Sequence, residues 1–181
     1  GKPVREVLTD AIAKTGENMN VSRIQRIQVT DNTVVVGYIH PPGKLGVLVQ
    51  LEAAKPETLK SPAVKALGAD LAMQVAAAAP IALDREAVPA EIVERERAIY
   101  LDQVKMEGKP EQMWDRIVEG KMSKFYKDSC LVDQAFIKDQ DQSVRQLVES
   151  VGKQVGDTIS IVRFERFLVG ETAKPEEEAE A

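Results

Sequence analysis

The sequence is poor in cysteine, histidine and aromatic residues: its 181 residues include one cysteine, one histidine and 4% aromatics. A lone cysteine excludes an intrachain disulfide, and one cysteine with one histidine cannot complete a Cys/His metal site. No apolar run reaches the roughly 18 residues of a membrane-spanning helix, and residues 1–4 lack the basic-then-apolar pattern of a secretion signal. We therefore expect a soluble protein that contacts no membrane, with Cys130 as a small buried hydrophobe.

Motifs of catalysis are also missing from the sequence. It contains no phosphate-binding glycine loop, no nucleophile elbow and no zinc-protease motif. His40 and Cys130 could in principle form a base and a nucleophile, but 90 positions separate them and no third group is evident to orient them. Carboxylates such as Glu94 and Glu96 are expected on solvated helix faces. The sequence therefore predicts no enzymatic activity, no metal and no cofactor.

The net charge of −5 is concentrated at the C-terminus. Residues 171–181 contain one lysine, at position 174, and five glutamates, at positions 171, 176, 177, 178 and 180. The rest of the chain is nearly neutral and lacks the basic stripe with interleaved aromatic residues that is typical of nucleic-acid binding. We expect no direct nucleic-acid binding, and we expect a disordered acidic tail because residues 172–181 have no large apolar side chain to bury.

What the sequence does contain is a strong β-hairpin pattern over residues 33–51. Two β-branched, apolar runs flank the turn residues Pro41, Pro42 and Gly43. Because the runs are apolar on both faces, the hairpin is predicted to lie at the centre of its sheet. A helix over residues 61–79 should follow, capped near Ser61 and ended by Pro80, with residues 52–62 as a loop before it.

An internal repeat links the two ends of the chain. The N-terminal pattern predicts a helix over residues 4–13, a stop at Gly16 and a strand formed by Met19, Val21 and residues 22–29. The same pattern recurs 140 positions later, with Ser143 as the helix cap and a strand over residues 158–169. We interpret the match as two similar halves, each with a helix packed on a sheet. A short strand is also predicted over residues 131–137.

Residues 90–106 and 111–126 are predicted to form two antiparallel helices joined at the Gly108–Pro110 bend. Their packed stripes are predicted as follows: Ile92, Ile99 and Met106 on the first helix, and Trp114, Ile117, Val118, Met122 and Phe125 on the second. The predicted fold class is therefore α+β, with a protruding helical hairpin. The predicted divisions are residues 1–32, the remainder of a first core half; 33–88, the β-hairpin and its helix; 89–127, the helical hairpin; 128–170, the second core half; and 171–181, the tail.

Several stretches resemble motifs of one family, in the family's order. They are residues 13–18 (AKTGEN), 43–49 (GKLGVLV), 71–77 (LAMQVAA), 117–125 (IVEGKMSKF) and 163–164 (RF). The chain resembles elongation factor Ts, the nucleotide-exchange factor of the GTPase elongation factor Tu. The resemblance implies a core of two α+β halves with a protruding helical hairpin, and it implies binding to elongation factor Tu with promotion of GDP-for-GTP exchange.

The resemblance also implies where the partner is contacted. Contacts are expected at Thr15, Gly16 and His40, and on the helix at Ala69 and Asp70, which replace basic residues sometimes found in the family. The alternative for His40 is an exposed turn residue with no special role. Residues 131–140 resemble the plastid and cyanobacterial branch most, which implies a plastid stroma or a bacterial cytoplasm rather than a mitochondrial matrix.

The family's leading helical domain and its Thr-Asp-Phe-Val motif do not occur in this sequence. In the family these parts reach the magnesium and phosphate region of the GTPase, so the chain by itself is expected to bind elongation factor Tu but to accelerate GDP release poorly. Two alternatives are a fragment that binds without exchange and a module of a larger translation polyprotein held at the ribosome.

Overall fold

The computed structural model describes residues 1–171, so the predicted disordered tail over 172–181 lies outside the described residues. The described chain divides into two units: residues 1–27 with 170–171, and residues 28–169. None of the helices within residues 1–171 combines the length and apolar character that a bilayer crossing requires.

The first unit contains one helix, α1 (Val4–Thr15), as the apolar spacing predicted. Gly16 ends it in the left-handed conformation, with φ of 72°, and its N–H donates to Ile12 O at 2.8 Å. No residue of α1 is fully buried. The strand predicted over residues 22–29 is wrong, because residues 16–30 contain neither helix nor strand. A β-branched, apolar pattern becomes a strand only with a ladder partner, and no described strand pairs with this segment.

The second unit holds the remaining elements. In chain order they are β1 (Thr33–His40), β2 (Leu45–Ala53), α2 (Pro62–Ala78), α3 (Ala90–Met106), α4 (Trp114–Ser129), β3 (Ala135–Phe136), β4 (Asp139–Ser143), α5 (Val144–Val155) and β5 (Ile159–Leu168). The main sheet is antiparallel in the order β1-β2-β5, and β3 and β4 form a separate two-stranded ladder. The α+β class predicted from the sequence is confirmed.

The β-hairpin forms as predicted, but only β2 is central. Val49 and Leu51 on β2 are fully buried, whereas β1 is an edge strand without a buried residue. The expectation that both strands lie centrally is wrong because β5 takes the second side of β2 and leaves β1 with one neighbour. Gly43, with φ of 103°, closes the turn by donating its N–H to His40 O at 2.7 Å.

The core lies between the sheet and the helices α2 and α5. Ser61 caps α2, since its hydroxyl accepts from Val64 N at 3.2 Å, and Ser143 forms a full capping box on α5. The predicted loop over residues 52–62 is partly wrong, because β2 continues to Ala53 and Pro56–Lys60 forms a short 3-10 helix. Both helix starts were therefore predictable from the sequence, although the short 3-10 helix before α2 was not.

The helical hairpin is present, with α3 at the predicted bounds. The predicted bounds of α4 are wrong at both ends, because Glu111–Met113 forms a 3-10 helix and the α-helix runs over Trp114–Ser129. Val104, Val118 and Met122 form its buried centre. The stripe predicted on α4 is confirmed, but the stripe predicted on α3 is wrong beyond Ile92: Ile99 is 42% exposed and Met106 is 89% exposed. The packed residues of α3 are instead Val93, Tyr100, Leu101 and Val104. The sequence of α3 contains two overlapping apolar patterns, and packing against α4 determines which of them is buried.

The strand predicted over residues 131–137 is mostly wrong. Leu131–Asp133 forms a 3-10 helix, and only Ala135–Phe136 pairs as a strand. Leu131 N donates to Ala82 O and Val132 N donates to Leu83 O, so residues 82–83 occupy the backbone groups that a longer strand would have used. The internal repeat is confirmed for its helices, since α1 and α5 both have 12 residues and both end at a left-handed glycine. The repeat does not extend to the first strand, because residues 16–30 form no strand.

Candidate partner-binding surface

His40 stands at the exposed end of the β1–β2 hairpin, as the sequence predicted. Tyr38 lies on the same face of β1, two residues earlier, and its ring packs against the sheet core. The Tyr38 hydroxyl lies 2.8 Å from His40 Nδ1, and the two ring centroids are 5.9 Å apart. The half-buried tyrosine therefore holds an exposed imidazole in one place at the end of the hairpin.

Apolar side chains surround this turn. Ile39 is 73% exposed and Val169 is 71% exposed, and Leu168 is 38% exposed. The register places His40, Leu45 and Leu168 side by side at one end of the sheet, and Ile39, one residue before His40, lies at the same end on the opposite face. We call His40, Lys44, Ile39, Leu168 and Val169 the turn surface. Exposed apolar groups beside polar ones are typical of a surface that binds another protein.

Thr15 and Gly16 form the C-terminus of α1 in the first unit. Thr15 Oγ1 donates to Ala11 O at 3.0 Å and accepts from Glu17 N at 3.2 Å, so the hydroxyl closes the helix end. Gly16 has open space where a Cβ would stand. Both residues are exposed. Their role in partner binding stays a prediction.

Ala69 and Asp70 lie on α2, and they differ in their surroundings. Ala69 is exposed, whereas the Asp70 carboxylate accepts from Lys138 Nζ at 2.7 Å. Lys138 lies 68 positions away in the chain, and no local sequence pattern joins it to Asp70. The Asp70 carboxylate is thus already paired within the chain, and any partner contact there meets an ion pair.

A buried amide network fixes the segment that carries Lys138. The Gln74 side chain is fully buried, donates to Gln134 Oε1 at 3.0 Å and to Ala135 O at 3.2 Å, and accepts from Ile137 N at 2.8 Å. Gln74 and Asp70 are one helical turn apart on α2. The same face of α2 therefore holds the chain around β3 at two points.

The structure separates His40 from Cys130. Cys130 is fully buried beside Ala82 and Val88, and burial, followed by the negative charge of Asp133, raises its thiol pKa to about 11. The thiolate is the reactive form of cysteine, so a buried thiol with a raised pKa is inert. Residues 1–171 contain no group of three or more His, Cys, Asp or Glu that could hold a metal ion.

A shallow groove of about 450 Å³ runs between α3 and α4. Tyr100, Gln103, Lys121, Lys124, Phe125 and Asp128 line it. Burial and the neighbouring Glu96 raise the pKa of Tyr100, and Lys121 Nζ donates to Gln103 at 3.0 Å and to Glu107 at 3.3 Å. These contacts hold the two helices together, and the groove contains no activated nucleophile.

The described residues thus define an α+β fold with an antiparallel helical hairpin, in which the β1–β2 turn is exposed. The family model for elongation factor Ts matches residues 1–171. The chain belongs to the elongation factor Ts family.

Individual relatives agree with this assignment. Elongation factor Ts of Clostridium novyi (strain NT) is 43% identical over 175 residues, which are 97% of this chain and 56% of that protein. Elongation factor Ts of Magnetococcus marinus is 42% identical over 98% of this chain and 57% of its own length. That of Lawsonia intracellularis is 39% identical over 93% of this chain and 58% of its own length. The chain therefore spans little more than half the length of the curated relatives it matches.

Proposed function

We propose that the chain binds the GTPase elongation factor Tu and promotes the exchange of GDP for GTP. The observation that carries the proposal is the family match across all described residues. The turn surface around His40 supplies an exposed, anchored contact site, and α1 and α2 supply further exposed positions at Thr15, Gly16 and Ala69.

The proposed activity requires no bond to be made or broken by this chain. An exchange factor binds the nucleotide-free GTPase more tightly than the GDP-bound GTPase, and thermodynamic reciprocity then weakens GDP binding by the same factor. A tenfold weakening corresponds to about 1.4 kcal/mol of differential affinity. A surface that binds both states equally well produces no exchange, so binding and exchange are separate properties.

The Asp70–Lys138 ion pair limits which groups of α2 a partner can contact. A partner that contacts Asp70 competes with Lys138 for the carboxylate, whereas a partner that contacts Ala69 does not. Lys138 itself is half exposed, with 51% of its side chain accessible. We propose that the partner meets α2 mainly through Ala69 and the exposed Lys138, and that Asp70 positions the lysine.

We propose a bacterial cytoplasm or a plastid stroma as the compartment. The relatives named above are bacterial, and residues 131–140 resemble the plastid and cyanobacterial branch. A mitochondrial matrix is the less favoured alternative.

The proposal is tested by stopped-flow release of a fluorescent GDP analogue from elongation factor Tu, with and without the chain, beside a pull-down that measures binding. Binding together with a small acceleration of GDP release is the expected result, because the family's parts that reach the magnesium and phosphate region do not occur in this sequence. Binding without faster release identifies a non-exchanging binding module, and absence of binding contradicts the proposal.

A further inference from the structure

The two segments that join the helical hairpin to the core run side by side. Residues 79–89 lead into α3, and residues 130–134 follow α4. Ala82 and Cys130 form a parallel bridge, and Leu131 N donates to Ala82 O at 2.9 Å. The apolar side chains at this root attract one another without directional preference. Directional contacts are therefore needed to set the angle at which the hairpin leaves the core.

Asp133 supplies such contacts, because its carboxylate receives one guanidinium on each oxygen. Arg85, in the segment before α3, donates from Nε to Asp133 Oδ2 at 2.7 Å. Arg145, in the first turn of α5, donates from Nη2 to Asp133 Oδ1 at 3.3 Å. Only 13% of the Asp133 side chain is accessible. The carboxylate thus links the segment that leads into the hairpin to a helix of the core.

Arg85 also contacts the hairpin itself. Its guanidinium carbon lies 5.3 Å from the centroid of the Tyr126 ring, in the last turn of α4, which is within the range of a cation–π attraction. The hydrogen bond to Asp133 raises the pKa of Arg85, so the guanidinium stays charged. A chain of contacts therefore runs from α4 to α5 through Tyr126, Arg85, Asp133 and Arg145. We call these four residues the root clamp.

We propose that the root clamp fixes the direction in which the helical hairpin leaves the core, with Asp133 as its pivot. The first helix of the hairpin has 17 residues and is therefore about 25 Å long. At that length a rotation of about 10° at the root moves the tip by about 4 Å. Both arginine side chains are about half exposed, so dissolved salt weakens the clamp. The direction of the hairpin is therefore best defined at low ionic strength.

Pulsed electron paramagnetic resonance measures this direction as the distance between two spin labels. The labels are attached after Met106→Cys, near the hairpin tip, and Lys65→Cys, on α2, where both side chains are exposed. Cys130 is buried with a raised pKa and should not react with the label. At low salt the parent chain should give one narrow distance distribution. Asp133→Asn should shift or broaden it by about 4 Å or more, the displacement that a rotation of about 10° produces.

Salt and a second variant test the same link independently. Salt at about 1 M, where the Debye length is about 3 Å, should broaden the distribution of the parent but change that of Asp133→Asn little. Arg85→Gln alters a half-exposed side chain, so the fold should survive, and it should broaden the distribution as well. Combining the two substitutions should add little, because both break one link.

Asp70→Asn is the matched control, since it breaks another ion pair of 2.7 Å, that of Asp70 with Lys138, away from the root. This variant should leave the distribution narrow. A second label pair within the core, introduced by Lys65→Cys and Glu149→Cys, should keep its distance in every variant. A distribution that Asp133→Asn and Arg85→Gln leave narrow overturns the inference, as does equal broadening by Asp70→Asn. Broadening of the core pair by Asp133→Asn overturns it too, in favour of a general role of this carboxylate in the core.

Discussion

Gly68 of α2 lies so close to Val36 of β1 that a Cβ at position 68 would stand 2.5 Å from Val36 Cγ2 and 3.1 Å from Val36 Cβ. Real Cβ atoms do not approach other atoms this closely, so glycine at position 68 sets how near α2 comes to the edge strand. Gly68 is one of the buried residues of α2.

Gly68→Ala should lower the free energy of unfolding by about 1–3 kcal/mol, the usual cost of overpacking a core. Chemical denaturation monitored by circular dichroism measures the change. Gly46→Ala is the matched control, because a Cβ at Gly46 meets nothing within 4 Å. Combining Gly68→Ala with Val36→Ala should recover part of the loss through a favourable coupling energy. Additive losses in the double variant would contradict the proposed clash.

Asp157 gives the fold a pH-dependent contribution. A hydrogen bond from Thr58, with further bonds from Lys55 N at 2.9 Å and Thr158 N at 2.8 Å, lowers the pKa of this carboxyl below its ordinary value of 3.8. A lowered folded-state pKa stabilises the fold above the unfolded-state pKa, and this stabilisation is lost as pH falls through the folded-state value. Asp157→Asn should therefore be less stable than the parent chain at neutral pH.

The stability difference between the parent and Asp157→Asn should shrink as the pH is lowered below 3.8. Urea titrations at a series of pH values measure it. Asp141→Asn, which removes an exposed carboxylate on β4, serves as the control. A difference that stays constant from neutral to acid pH would show that Asp157 acts through shape alone.

Gln74→Ala should destabilise the fold by about 1–3 kcal/mol, because it leaves the N–H of Ile137 and the Oε1 of the buried Gln134 without their partner. Gln140→Ala removes an exposed amide on β4 and should change stability little. Thermal denaturation of both variants measures the two stability changes. Equal effects of the two substitutions would mean that the buried network contributes no net stability.

His40→Ala should weaken binding to elongation factor Tu by about 1 kcal/mol, the scale of an ordinary interface contact, without lowering the melting temperature. Calorimetric titration measures the affinity. Tyr38→Phe keeps the ring but removes the hydroxyl that holds His40 Nδ1, and should give a smaller loss. An unchanged affinity, or an equal loss of stability, would reduce His40 to an exposed turn residue.

The helical hairpin should be removable without unfolding the sheet. Its buried centre, Val104, Val118 and Met122, is a cluster of its own, apart from the core on β2 and α2. Ile92 and Phe125 pack against the same small cluster at its base, so a short Gly-Ser linker can replace residues 92–125. The shortened chain should keep a cooperative melt by circular dichroism. Loss of that melt would show that the hairpin is part of the core.

Much of this architecture could be predicted from the local sequence. Ser61 and Ser143 mark helix starts, because their hydroxyls cap α2 and α5. Gly16 and Gly156 mark helix ends, because each adopts the left-handed backbone conformation. The bounds of α3 were predicted without error. These features depend on residues within one or two turns of each other, which is why the sequence alone predicts them.

The errors concern choices that only distant residues make. Residues 22–29 have the composition of a strand but no described ladder partner, and β1 is an edge because β5, more than a hundred positions later, pairs with β2. The pairing of Asp70 with Lys138 is hidden for the same reason, since 68 positions separate the two residues. Candidate contacts such as His40 were chosen by resemblance, and local physics shows only that the turn is exposed.

The contacts along the hairpin repeat from turn to turn of the two helices, and its centre is distinct from the sheet's. A matched insertion or deletion of whole heptads in α3 and α4 would therefore change the hairpin's reach while leaving its base and the sheet in place. In evolutionary terms, the length of the hairpin can change independently of the fold that carries it. Related chains can therefore differ in how far the hairpin extends from a shared core.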